Sequence, residues 1–490
     1  MEQPLILALD IGTSSVRASF YDMAAQPLAR GHAKIERSLT VTDDGGSEID
    51  ADAAGSQVAA AIDSLLEKTS RSKREIKYAA ASTFWHSLLG VDESGKPTTP
   101  VYSWADTRSG KYTDVLRKRF AESEVHGRTG ARFHSSYWPA KLLWLRREHP
   151  EIWATTAGWM SLSDYIAGEF FGPSASSISM ASGTGIFDIR NCDWDAELLK
   201  YLQVKRSSLP ELTSADDQTF KLIPKYAKRW PRLAKTCWFP SIADGAADNM
   251  GANCTTREKA ALMIGTSGAM RVSYKGDPPA KIPSGLWCYR VDRQRVIIGG
   301  ALSDGGGLYR WLKDTLRLPA DAEEQIERRP PGSDDLTFLP FVAGERSTGY
   351  NENARGAILG LRSATDPVDI LQAAMESVAY RFAEIFQQLS SVLDIREIVA
   401  SGGALRDSPV WTQIIADVLG RDITLTTAHE SSSRGAVLLA LESIGKIEGI
   451  GKTPAAPSVT VKNRPKNHAA YADKLARHRA YYDYISKFQP

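Results

Sequence analysis

The sequence predicts an α/β protein with mixed sheets, built as two similar domains that face each other across a cleft. Three observations point there. The segment Ala8-Leu9-Asp10-Ile11-Gly12-Thr13-Ser14 recurs near mid-chain as Ala261-Leu262-Met263-Ile264-Gly265-Thr266-Ser267, with only the Asp/Met position changed. A repeat that restarts there marks a duplicated core, and a duplicated core puts a site between its halves. Helical and strand-like stretches alternate in both halves. A chain of 490 residues also has room for two to four domains at roughly 150 residues each.

The elements follow in order. Leu5 to Asp10 is a short apolar run that ends at an acid, and Val16 to Asp22 alternates like a second strand. Between them Gly12-Thr13-Ser14-Ser15 is a tight turn that presents N–H groups and hydroxyls. Ala53 to Lys68 reads as a helix with an apolar face of Val58, Ala61, Ile62, Leu65 and Leu66. Further helices are expected over Ile370 to Leu389 and Pro409 to Leu419, and strands over Val296 to Gly299, Glu397 to Ala400 and Ile423 to Thr426. Gly451 to Lys466 reads as a surface connection before a terminal helix carrying Tyr471, Tyr481, Tyr482 and Tyr484. The domain boundary is expected near Ser241, giving domains 1–241 and 242–490.

Composition excludes several classes. Lys plus Arg is 60 against 58 for Asp plus Glu, a net charge of +2, so no basic excess suits nucleic acid or a membrane surface. No apolar run approaches the roughly 20 residues of a spanning helix, and Met1-Glu2-Gln3-Pro4 lacks a signal peptide's basic start. Cys192, Cys237, Cys254 and Cys288 form no CxxC pair and read as reduced thiols of a cytoplasmic protein. The histidines show no metal-ligand spacing. Gly451-Lys452-Thr453 imitates the end of a P-loop, but Lys446 stands where that motif needs glycine.

Four groups of residues carry chemistry. In Asp10-x-Gly12-Thr13-Ser14-x-x-Arg17, glycine lets the backbone approach a phosphate, the hydroxyls add donors, and the acid is suited to Mg²⁺. Gly265 and Thr266 form the second such loop. Asp244-Gly245-Ala246-Ala247 puts an acid at the exit of an apolar segment, although a helix N-cap aspartate reads the same way. Glycine clusters at Gly299-Gly300, Gly305-Gly306-Gly307 and Gly402-Gly403 suit a nucleotide lying against backbone, or simply mark turns. Finally, Trp85-His86, Trp104-Ala105-Asp106-Thr107-Arg108 and Ser135-Ser136-Tyr137-Trp138 combine aromatic faces with polar groups, as a sugar requires. Trp138 and Trp144 read better as core.

Along the chain the stretches Asp10 to Arg17, Trp104 to Arg108, Asp244 to Ala247 and Ser401 to Asp407 together resemble, in their order, the FGGY carbohydrate kinases, and Ser182-x-x-Gly185-Ile186-Phe187-Asp188 is similar to the family's text as well. The resemblance covers nearly the whole chain. It implies two actin-like (ribonuclease H-like) domains and transfer of a phosphoryl group from ATP to a sugar or sugar-acid hydroxyl. By that resemblance Asp244 is the catalytic base and Asp10 the acid that interacts with Mg²⁺. Thr13, Ser14, Arg17, Gly265 and Thr266 contact phosphate. Gly306, Gly403, Ala404 and Asp407 match the nucleotide pocket, Asp407 standing where an Asn or another small polar residue is usual. Trp85 and His86 match the pair that touches the sugar, with Trp104, Asp106, Arg108 and Ser136 beside them. Asp248 stands where a small apolar residue is common. Membrane and nucleic-acid partners are not expected, and a homodimer is compatible.

D-gluconate is the expected substrate. The stretches His86 to Pro97, Trp104 to Ser109 and Pro139 to Leu145 resemble the gluconokinase branch. An anionic substrate also calls for a cation, and Arg108, Arg132 and Lys141 are its candidates. Phe84-Trp85 is bulkier than that branch leads one to expect. Xylulose, a neutral ketose, is the alternative substrate. A non-catalytic sugar sensor is the alternative from another class, and it predicts loss of Asp10 or Asp244, both of which are present.

Overall fold

The computed structural model describes residues 3–173, 175–217, 219–332, 335–426 and 430–488, so Met1 and Glu2 of the N-terminal stretch lie outside the described residues. Its first sheet holds β1 (Leu5–Ile11), β2 (Ser15–Tyr21) and β3 (Pro27–Glu36) as an antiparallel meander. After helix α1 (Ala51–Lys68), β4 (Ile76–Thr83) adds parallel to β1. The short strands β5 (Cys237–Trp238) and β6 (Ile242–Ala243) then add parallel to β4. The last hydrogen-bonded strand of this sheet thus lies just past Ser241. Every residue of β1 is buried, which is why it reads as a continuous apolar run rather than an alternating one. Asp50 starts α1, its carboxylate accepting from the Ala53 N–H at 2.7 Å.

Helix α2 (Asp244–Gly251) leads into the second sheet, which repeats the plan. There β7 (Lys259–Ile264), β8 (Gly268–Lys275) and β10 (Arg295–Leu302) form the meander, with β9 (Trp287–Arg290) at its edge. Then follow α3 (Gly306–Thr315) and the long α4 (Pro367–Ser390), the latter opened by a capping box of Asp366 and Asp369. Strand β11 (Glu397–Ser401) adds parallel to β7. Beyond it come α5 (Gly403–Asp407), α6 (Pro409–Leu419) and β12 (Ile423–Thr426), parallel to β11. The orders β3-β2-β1-β4 and β10-β8-β7-β11 match, as the repeated segment predicts.

The final elements are α7 (Ser431–Ser443), β13 (Ser458–Val461) and α8 (Pro465–Ile485). The stretch expected to be plain connection therefore contains an edge strand: β13 pairs antiparallel with β12, with Val459 opposite Leu425. No helix among the described residues is long and apolar enough to cross a membrane. All four cysteines are free.

Helices α2 and α7 lie between the two sheets. Ala246 and Met250 of α2 and Val437 and Leu438 of α7 share one core with Ile6 and Ala8 of β1 and with Trp287, Tyr289 and Ile297 of the second sheet. Glycine permits the close approach of the pair, because a Cβ on Gly435 would lie 1.8 Å from the Ala247 carbonyl oxygen. The helices couple the sheets and deliver the first turn of α2 to the cleft.

Candidate functional site

Asp10 lies at the end of β1, where the strand register sets it opposite Arg17. The two form an ion pair at 3.0 Å, and the other carboxylate oxygen accepts from Ser82 Oγ at 2.9 Å. The turn that follows is closed by Gly12 N–H donating to the Ser15 carbonyl at 2.9 Å. Arg37 braces it from behind: its backbone N–H reaches the Ser14 carbonyl at 2.9 Å, and its Nη1 reaches the Gly12 carbonyl at 3.0 Å. Thr13 is half-buried and Ser14 exposed, so their hydroxyls are accessible on a fixed loop.

Asp244 is the first residue of α2, and Ala243 is the N-cap. A simple N-cap aspartate is therefore not what the structure shows. One carboxylate oxygen accepts from the Gly245 N–H at 2.6 Å. Burial pushes the Asp244 carboxyl up to about 6, against the nearby Arg271 guanidinium and the Gly245 N–H, while the charges of Asp10 and Asp248 push the same way as burial. A carboxylate with that affinity is ionised at neutral pH yet takes a proton readily, which suits a general base. The aspartate at 248 has its partner in Arg271, 3.0 Å away. Sequence reading missed Arg271, four residues past Ser267 on β8, and only the fold brings it beside α2.

The second loop and the glycine clusters meet. Gly306 N–H donates to the Gly265 carbonyl at 2.8 Å, and Gly307 N–H to the Thr266 carbonyl at 2.9 Å. These bonds dock the start of α3 on the turn between β7 and β8. A Cβ on Gly306 would lie 2.5 Å from the Gly265 oxygen and 3.0 Å from the Ala404 Cβ, so Gly265, Gly306 and Ala404 form one small-residue wall. Gly402 adopts φ +107°, and a Cβ there would lie 2.2 Å from the Ile264 oxygen. Nothing lies within 4 Å of a Cβ built on Gly403, so backbone is open at that point. Asp407 ends α5 and is exposed.

The sugar-type residues are only partly as expected. Trp85 is a buried wall: its Nε1 donates to the Ser179 carbonyl at 2.8 Å and its ring meets Tyr289 edge-on at 5.1 Å. A Cβ on Gly245 would lie 2.7 Å from that ring, so glycine after Asp244 lets α2 start against it. His86 takes φ +69°, a left-handed conformation held by its surroundings. Its Nδ1 lies 2.5 Å from the Gly183 carbonyl, and a carbonyl only accepts, so Nδ1 carries the proton. Burial and the Arg346 charge hold this imidazole well below the usual range, and it is neutral. Ser136 Oγ donates to the Trp104 carbonyl at 2.8 Å. Trp138 and Trp144 are core, as read.

Asp106 and Arg108 are spent on each other. Arg108 Nη2 lies 2.5 Å from Asp106 and 2.6 Å from Glu48, and Asp106 also accepts from the Ser47 N–H at 3.0 Å. The other cations expected for a carboxylate are also committed. Arg132 pairs with Glu122 at 2.7 Å, and the fully buried Lys141 donates to the Ser136 carbonyl at 2.8 Å. Arg108 and Arg132 thus carry counter-charges of their own, whereas Lys141 meets only a carbonyl. A further cation at this end is Arg346, on a loop of the second domain, with Nη2 3.4 Å from His86 Nε2.

Among the described residues no group of three metal-ligating side chains gathers in one place. An ion here would therefore need oxygens of a bound phosphate besides Asp10.

Comparison with known proteins identifies the family. Residues 5–253 match the N-terminal domain of the FGGY family of carbohydrate kinases, and residues 260–443 match its C-terminal domain. A protein named gluconokinase from Bacillus subtilis (strain 168) is 28% identical over 489 aligned residues, covering 95% of this chain and 92% of the relative. A crystal structure of gluconate kinase from Lactobacillus acidophilus superposes with a TM-score of 0.91 at 25% identity, covering 99% of both chains. A ligand-bound xylulose kinase from the same organism gives 0.91 at 25% identity, covering 99% of this chain and 98% of that one.

Proposed function

The chain belongs to the FGGY family of carbohydrate kinases, ATP-dependent phosphotransferases, and from that premise we propose that it phosphorylates the 6-hydroxyl of D-gluconate. The observation that carries the chemistry is Asp244, half-buried at the start of α2, its carboxyl pushed up to about 6 with the charge of Asp10 among the causes. A sugar hydroxyl is a poor nucleophile at neutral pH. Asp244 accepts its proton as the oxygen attacks the γ-phosphorus in line. The hydroxyls of Thr13, Ser14 and Thr266 and the Gly265 backbone lie on the two loops that flank the phosphates. Arg17 sits beside them, already paired with Asp10. The nucleotide lies along Gly306, Gly403 and Ala404, near Asp407.

Mg²⁺ suits this donor set: the Asp10 carboxylate lies on the strand that leads into the first phosphate loop, and an ion held there with the phosphates would offset their charge. The sugar lies against His86, Trp104 and Ser136, with Trp85 as wall and the Asp106–Arg108 pair tying the loop after Trp104 to Ser47 and Glu48. Docking of the second domain on that surface excludes water, which would otherwise consume ATP. Four free thiols and the lack of basic excess support a cytoplasmic enzyme.

Similarity to the gluconokinase of Bacillus subtilis supports the sugar acid, and similarity to xylulose kinase supplies the competing reading. The test is kcat/KM for D-gluconate against D-xylulose, L-ribulose and glycerol, followed by ADP release. Gluconate is expected to lead. A clear preference for a neutral sugar removes gluconate and leaves the kinase standing.

A further inference from the structure

Arg346 stands apart from the other cations around the sugar end of the cleft. It comes from the second domain, yet its guanidinium lies 5.7 Å from the centre of the Trp104 ring of the first. Because His86 Nδ1 is committed to the Gly183 carbonyl, the Nε2 lone pair is what faces Arg346 Nη2 at 3.4 Å. These contacts aim the guanidinium without neutralising it.

The nearby acids are committed elsewhere. Glu345 pairs with Arg381 and accepts from Tyr482 Oη at 2.6 Å. Glu352 accepts from the Ser135 N–H and faces His134 at 3.7 Å. Asp304 accepts from the Ala343 N–H at 3.1 Å. Among the described residues no carboxylate forms an ion pair with Arg346. A half-buried guanidinium lacking a counter-charge in a cleft is complementary to an anion, and its planar fork suits a carboxylate. It lies on the His86–Trp104 side and not on the phosphate loops, which separates this anion from the nucleotide.

The loop is also fixed in advance. Ser347 Oγ accepts from the Ala301 N–H at 3.0 Å, and the Glu345–Arg381 pair is buried beneath it. Little ordering remains to be done on binding.

Resting on the kinase reading above, we propose that Arg346 reads the carboxylate of the sugar-acid substrate, aimed by His86 and Trp104.

The test compares wild type, Arg346→Gln and Arg346→Lys on D-gluconate and on D-glucitol, which has the same carbon chain with an alcohol in place of the carboxylate. Gluconate affinity is also measured by tryptophan fluorescence, and folding by thermal melting. Arg346→Gln is expected to lower the gluconate-to-glucitol ratio of kcat/KM by about 10²-fold and to weaken gluconate binding alike, with the loss mainly in KM. Arg346→Lys restores part of the ratio, because a point charge remains. Equal losses on both substrates, or an unchanged ratio and affinity, overturn the proposal. Should glucitol turnover be too slow to measure, unchanged gluconate affinity in Arg346→Gln overturns it alone. Wild type that ignores gluconate refutes the substrate reading itself, a separate result.

Discussion

Arg271 Nη1 lies 3.0 Å from Asp248 Oδ2, and this ion pair is buried one helical turn from Asp244. The guanidinium also reaches the Gly245 carbonyl at 3.4 Å. Arg271 lowers the proton affinity of Asp244 while Asp248 raises it. The pair therefore lets a cation support the first turn of α2 without drawing the Asp244 carboxylate fully into an ion pair of its own.

Asp248→Asn removes the opposing charge and leaves Arg271 acting on Asp244 alone. The acid limb of the kcat/KM profile, where Asp244 becomes protonated, is expected to move to lower pH. Replacing Arg271 by Gln moves it to higher pH, and breaking a buried pair also costs about 3 kcal/mol of stability. A profile that stays put in both variants denies the coupling.

Asp244→Asn keeps the shape and removes the proton acceptor. Turnover should fall by ~10²–10⁴-fold while ATP still binds. In wild type, kcat/KM should decline as pH drops through about 6, because the raised carboxyl is then protonated. Turnover of the variant within a factor of about two of wild type is incompatible with the role of base.

Asp10→Ala removes the charge next to the first phosphate loop and leaves Arg17 without its 3.0 Å partner. The Mg²⁺ concentration for half-maximal activity should rise and turnover should fall. Titration of activity with Mg²⁺ checks both. Matching curves would reduce Asp10 to a turn residue.

Gly403→Val and Gly306→Val should part company. A side chain at Gly403 enters open space, so its effect should be a raised KM for ATP with little change in melting temperature. At Gly306 the new Cβ lies 2.5 Å from the Gly265 oxygen, so melting temperature should fall as well. Paired melts and ATP kinetics separate the two.

The duplicated plan was legible in the chain because it rests on local pattern. Six of seven residues of β1 and its turn recur in β7 and its turn, and the meanders and parallel strands that follow are written in apolar runs and glycine turns. Asp10, Asp244 and the glycine clusters were legible for the same reason, since each lies within its own motif. The edge strand β13 was not, because only pairing with β12 defines it. Arg271 and Arg346 were hidden too: nothing in their neighbouring residues shows that one reaches α2 and the other His86. The cations Arg108, Arg132 and Lys141 were visible as charges, but their availability depends on Asp106, Glu48, Glu122 and the Ser136 carbonyl. Strand periodicity and turn chemistry act over a few residues, so one sequence records them. Whether a charge is free or spent is a property of everything within a few ångströms, and only the packed chain decides that.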